Sequence, residues 1–147
     1  KGVDRRFSIR LTAPKVVVDD YAHHPTEINA VADALEAFYP DQIKLGVFQP
    51  HLFSRTRDFV TEFKQALARF DEVLLLDIYP ARELPMEGIT SALLVDESHA
   101  ATQLIDKQML AEMIAKSAAT VVAIMGAGDI AFEVPAVIQT LKNQQYA

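Results

Sequence analysis

Three polar runs in this sequence carry side chains able to do chemistry, and each follows a short apolar run. They are Asp19-Asp20-Tyr21-Ala22-His23-His24-Pro25, then Gln49-Pro50-His51 with Arg55 and Arg57 close behind, then Asp77 with Tyr79, Arg82 and Glu83. Arginine forks bind phosphate or carboxylate in parallel N–H···O pairs, and carboxylates accept hydrogen bonds from sugar hydroxyls. Imidazoles can hold or move a proton near neutral pH. Together these types suit an anionic, hydroxyl-rich ligand such as a nucleotide.

Each run also has a simpler reading. The aspartate pair could cap the following turn or helix. Asp19, Asp20, His23, His24 and His51 could gather around a metal, although no familiar ligand spacing such as H-x-x-x-H is present and we expect none. Arg55 and Arg57 could be solvated surface charges, Arg57 more readily than Arg55. Tyr79 and Glu83 carry less signal than the rest.

The elements that must position these residues alternate β-branched runs with amphipathic stretches, the mark of a mostly parallel sheet covered by helices. Strands are predicted over Phe7–Leu11, Lys15–Asp20, Ile43–Gln49, Glu72–Ile78 and Thr120–Met125, with a brief one over Thr102–Ile105. Pro25 suits a first helical position, and Ile28, Val31, Ala32, Leu35 and Phe38 then form one apolar stripe. Phe59, Val60, Phe63, Leu67 and Phe70 mark a second long helix opened by Ser54 or Thr56. Tyr79–Thr90 reads as a long loop, Ser91–Glu97 as a short helix. Asp106 can cap a helix carrying Leu110, Met113 and Ile114, and Val134, Val137, Ile138 and Leu141 mark the last. The expected fold is α/β: Rossmann-like, doubly wound, with a mostly parallel sheet, helices on both faces and a single domain. In such sheets ligands bind beyond the carboxyl ends of the strands, where all three polar runs fall.

Composition excludes several function classes. The 147 residues fit one domain with a substantial core, and half are hydrophobic. No cysteine is present, which removes disulfides, thiolate metal sites and cysteine nucleophiles and agrees with a reducing cytoplasm. A net charge of −6 argues against a nucleic-acid surface, and no apolar run is long enough to span a membrane. The chain starts at Lys1 without a methionine, which we read as a fragment of a longer protein or a processed form.

Gly126-Ala127-Gly128-Asp129-Ile130-Ala131 formally fits the G-x-G-x-x-[GA] dinucleotide pattern between a strand and a helix. It lies at the chain's end, with no following strand to complete a βαβ unit and no acid about twenty residues on. A tight turn with close strand–helix packing is the better reading. No G-x-x-x-x-G-K-[ST] loop occurs, so if ATP is handled, another domain must cradle its phosphates.

The run Val18-Asp19-Asp20-Tyr21-Ala22-His23-His24-Pro25-Thr26-Glu27 resembles the signature of the C-terminal domain in the Mur ligase family, in its branch of UDP-N-acetylmuramate–L-alanine ligases. Gly2–Phe7 (G-V-D-R-R-F), Phe48–Asp58 (F-Q-P-H-L-F-S-R-T-R-D), Asp77–Pro85 (D-I-Y-P-A-R-E-L-P) and the late G-A-G-D-I agree in order and spacing. A sister branch, which recycles murein tripeptide onto UDP-N-acetylmuramate, shares H-H-P but usually departs from F-Q-P-H-x-x-S-R.

The resemblance implies a cytoplasmic, three-domain ligase of peptidoglycan synthesis. Residues 1–14 would form the junction with the central domain and the first strand, and residues 15–147 the C-terminal domain. ATP and Mg2+ would activate the carboxylate of UDP-N-acetylmuramate as an acyl phosphate, which L-alanine attacks, with the phosphate loop and metal ligands on the central domain. By position, Asp20 would bind the ATP ribose and Arg6 reach the phosphates. His23 and His24 would line the nucleotide cleft. His51 and Arg55 would face the substrates, with Arg55 holding the alanine carboxylate. Some relatives carry arginine where this chain has Leu52, so Arg55 would act with less help. Catalytic roles would fall to Arg6 and His51. The isolated domain would fold without catalysing. Two readings from other classes remain: a stand-alone nucleotide-binding module, and a metal-dependent hydrolase built on the Asp/His cluster.

Overall fold

The computed structural model describes residues 5–96, 98–99 and 101–145. Six strands form one sheet in the order β1-β2-β6-β3-β4-β5: β1 Ser8–Leu11, β2 Val16–Asp20, β3 Lys44–Phe48, β4 Glu72–Leu75, β5 Thr102–Leu104 and β6 Val121–Met125. All pairings are parallel except β1 with β2. The doubly wound arrangement expected from the alternating pattern is therefore present, with an antiparallel edge strand added.

Helices cover both faces. On one side α1 (Pro25–Phe38) and α3 (Val60–Leu67) bury Ile28, Leu35 and Phe63 against Val18, Phe48 and Leu75 of the sheet. On the other, α4 (Leu110–Lys116) and α5 (Val134–Gln145) bury Ile114, Val137 and Leu141 against Val17, Val47 and Ile124. Strands β3 and β6 are buried at every position, which explains their continuous apolar runs.

Several element boundaries differ from expectation. The second long helix is two: α2 (Phe53–Asp58) and α3, broken at Phe59, whose backbone leaves the helical region at φ −125° and ψ 29°. Neither Ser54 nor Thr56 opens it. Leu52 holds the N-cap position without a side-chain bond, the Ser54 hydroxyl turns to Glu83, and the Thr56 hydroxyl donates to the Leu52 carbonyl at 2.9 Å. Phe38 stands 66% exposed beside Phe7 instead of completing the buried stripe of α1, while Phe70, beyond α3, is buried. Ser91–Leu94 is a 3-10 turn, and Glu97 lies outside the described residues. Asp106 precedes a 3-10 turn, Lys107–Met109, without a side-chain capping bond.

The topology decides what meets at the carboxyl edge. β6 lies between β2 and β3, so the turn after Met125 sits between the Asp19-Asp20 end and the Gln49-Pro50-His51 end.

Candidate functional site

The two aspartates at the end of β2 have different surroundings because successive strand side chains face opposite ways. Asp19 is buried, and the Arg5 guanidinium donates to its Oδ1 from Nε at 3.0 Å and Nη2 at 2.8 Å. Arg10 reaches Oδ2 at 3.3 Å, and Arg5 Nη1 donates to the Gly126 carbonyl at 2.7 Å. This carboxylate is structural. Asp20 accepts backbone N–H bonds from Phe7 at 2.7 Å and Ala22 at 2.8 Å. Burial raises its pKa from the ordinary aspartate value, against the lowering effect of those two bonds.

Asp20 opens onto a groove of about 940 Å³ between the segment before β1 and α1, lined also by Arg6, Phe7, Tyr21, Ala30 and Phe38. Arg6 is exposed, whereas its neighbour Arg5 turns inward. A carboxylate and a guanidinium at the rim of an apolar groove suit a ligand with a flat apolar part, hydroxyls and negative charge.

The two adjacent histidines also part company. His24 holds the N-cap position of α1: its Nδ1 accepts from Thr26 N–H at 3.4 Å, while Glu27 accepts from the His24 N–H at 3.1 Å. Its ring packs against Phe59 with centroids 4.9 Å apart. His23 points along the carboxyl edge instead. Tyr21, His23, His51 and Tyr79 form a row of rings with successive centroid separations of 5.4, 6.0 and 5.4 Å. The row crosses from the groove at the end of β2 to the segments after β3 and β4.

His51 Nδ1 is buried and has no hydrogen-bond partner among the described residues. Burial, then the nearby Arg55 and His23, lower its pKa below the ordinary histidine value, so the neutral imidazole is favoured. Arg55, one turn into α2, donates Nη1–H to the His51 carbonyl at 3.3 Å, which places its guanidinium beside the ring row. Leu52 reaches the start of α2 through a left-handed backbone at φ 75°, stabilised by its N–H bond to the Tyr79 carbonyl at 2.9 Å. Arg57 is exposed and paired with Asp58, in accord with the surface-charge reading. Glu83 accepts from the Ser54 N–H at 3.1 Å and so ties the 79–90 loop to α2. Arg82 and Asp77 are exposed on that side.

Sequence reasoning did not find the connection supplied by β6. Gln49 Nε2 donates to Asp129 at 2.7 Å, Lys107 donates to the same carboxylate at 2.6 Å, and Gln49 Oε1 accepts from Ile130 N–H at 3.1 Å. A Cβ on Gly128 would lie 2.5 Å from Tyr79 Cγ and 2.6 Å from Gln49 Oε1. Close packing therefore accounts for glycine here, in agreement with the tight-turn reading of G-A-G-D-I. The spacing of Gln49, Lys107 and Asp129 carried no signal, because only the strand order brings them together.

Among the described residues, no three His, Asp or Glu side chains converge where one metal ion could sit. Asp19 faces arginines and His24 caps a helix, so the Asp/His cluster imagined for a hydrolase is not assembled. No helix among the described residues is long and apolar enough to cross a membrane.

Comparisons with known proteins agree with this fold. The family model "Mur ligase, glutamate ligase domain" matches residues 5–128. The UDP-N-acetylmuramate–L-alanine ligase of Flavobacterium psychrophilum is 57% identical over 132 residues, 88% of this chain and 30% of that protein. The ligase of the same name from Christiangramia forsetii is 56% identical over 98% of this chain and 32% of its own length. The solved UDP-N-acetylmuramate–alanine ligase of Thermotoga maritima superposes with a TM-score of 0.74 at 25% identity, covering 97% of this chain and 30% of that one. The chain thus spans about a third of the length of the curated relatives it matches.

Proposed function

Because this chain belongs to the Mur ligase family through its C-terminal domain, we propose that it forms one wall of the active site of an ATP-dependent UDP-N-acetylmuramate–L-alanine ligase acting in cytoplasmic peptidoglycan precursor synthesis. The N-terminal and central domains of the longer protein supply the remaining walls. The observation that carries the reading is the ring row, which joins a nucleotide-suited groove at Asp20 to a carboxylate-suited arginine at Arg55 along one sheet edge.

In this reading the carboxylate of UDP-N-acetylmuramate takes the terminal phosphoryl group of ATP, giving an acyl phosphate and ADP. The amine of L-alanine then attacks the carbonyl carbon, phosphate leaves, and the amine loses a proton. Asp20 accepts hydrogen bonds from the ribose hydroxyls, and exposed Arg6 is free to swing to the phosphates. Arg55 holds the alanine carboxylate with N–H groups other than the one given to His51. His51, kept neutral by burial, can take a proton from the alanine ammonium. Fixing two substrates on one rigid edge converts their encounter into a positioned reaction, and closure over them keeps water from the acyl phosphate.

The residues described do not build a Mg2+ site. A magnesium ion accompanying ATP would be held by the phosphates and by the central domain, where it would neutralise phosphate charge. The reading is tested by alanine-dependent phosphate release in the full-length ligase.

A further inference from the structure

Tyr79 is fixed through its backbone and on two sides of its ring, at His51 and at Gly128. Its N–H donates to the Pro50 carbonyl at 2.8 Å, and its own carbonyl accepts from Leu52 N–H at 2.9 Å, so its backbone is clasped to the segment carrying His51. Its ring lies against His51 at 5.4 Å with only 31° between the planes. Below it, Gly128 approaches so closely that any side chain there would meet Tyr79 Cγ at 2.5 Å. Gly128 is in turn fixed by its neighbour Asp129, gripped by Gln49 and Lys107.

A large aromatic ring packed between His51 and Gly128 is restrained from moving aside for a ligand on those two sides. It stands next to the imidazole whose residue also anchors Arg55. An amino acid whose carboxylate is held by Arg55, with its amine near His51, would lie beside this ring.

We infer that Tyr79 is a specificity-determining residue: its clamped ring is a rigid wall that limits the acceptor to an amino acid with a small side chain. The inference rests on the Arg55 and His51 roles proposed above. It names a physical stop on acceptor size, with selectivity arising because larger side chains would have to displace Tyr79 against Gly128 and the Asp129 bonds. A hydrophobic pocket gains or loses about 10- to 200-fold in selectivity per methylene, so removing a wall of this size is a large change.

The test uses the full-length ligase, wild type beside Tyr79→Ala and Tyr79→Phe, with L-alanine, L-2-aminobutyrate and L-valine as competing acceptors and thermal unfolding as a folding control. For Tyr79→Ala the ratio of kcat/KM for L-valine to that for L-alanine should rise about tenfold or more, while Tyr79→Phe keeps the wild-type ratio. A folded Tyr79→Ala that loses rate on all three acceptors in equal proportion overturns the wall. If Tyr79→Ala does not fold, Tyr79→Leu, which shortens the wall and keeps its apolar packing, must shift the same ratio upward, and an unchanged ratio overturns the inference. Failure of the wild type itself to use L-alanine overturns the function on which the inference rests. Wild-type turnover with unshifted variants overturns the wall alone.

Discussion

Arg5 lays its guanidinium along Asp19, with Nη2 at 2.8 Å and Nε at 3.0 Å from the same carboxylate oxygen, and its remaining nitrogen holds the Gly126 carbonyl at 2.7 Å. One side chain thereby ties the segment before β1 to the ends of β2 and β6. Asp19 is only 2% exposed, so a lost partner leaves a buried charge. Arg5→Ala should cost about 3–5 kcal/mol in denaturant unfolding. Arg10→Ala, which removes a longer and half-exposed contact, should cost under about 1 kcal/mol. Equal effects would show that the pair does not organise this edge.

Gly128→Ala places a methyl group against Tyr79 and Gln49 where there is no room. We expect a loss of about 1–3 kcal/mol from overpacking, read by thermal or chemical unfolding. A neutral substitution would mean that the turn after β6 can shift without cost, and would weaken the case for a rigid Tyr79.

His51 sets a pH dependence whose sign follows from its lowered pKa. The unfolded chain protonates this histidine at its ordinary value, about 6.5, while the folded chain resists until lower pH. Its contribution is therefore fully present above the ordinary value and declines as pH falls toward the folded one. Wild type should lose more stability than His51→Gln between pH 7.5 and 5.5 in paired denaturation curves. Parallel losses would contradict the buried, neutral imidazole.

Asp20 works in the opposite direction, since burial raises its pKa. A carboxyl group accepts from two ribose hydroxyls best when ionised, so nucleotide affinity in the full-length ligase should fall with acidification earlier than an ordinary aspartate would dictate. Asp20→Asn should bind more weakly at neutral pH and show a flatter profile. Titration calorimetry with ADP at several pH values checks both, and an unchanged affinity in the variant would remove Asp20 from the nucleotide site.

Much of the scaffold was legible because its signals are local. The Val16–Val18 and Val121–Met125 runs announce buried strands, and the residues that follow them must fall at the carboxyl edge. Strand order is not local, however. Nothing in the sequence near Met125 says that β6 inserts between β2 and β3, so the Gln49–Asp129 and Arg5–Gly126 contacts could not be foreseen. The Arg5-Arg6 and His23-His24 doublets show a related limit. In each, one residue turns into structure and its neighbour faces the site, and only the local backbone decides which. The break at Phe59 was hidden because the apolar spacing continues through it.

The most direct test of the proposed function measures phosphate release from ATP and UDP-N-acetylmuramate in the full-length ligase, with and without L-alanine, for wild type, Asp20→Ala and Arg55→Ala. Release by wild type should depend on L-alanine, and each variant should lose most of it while remaining folded, Arg55→Ala chiefly through a raised KM for L-alanine. Wild-type turnover with a murein tripeptide instead of L-alanine would contradict the assigned acceptor, and full activity in both variants would contradict the site itself.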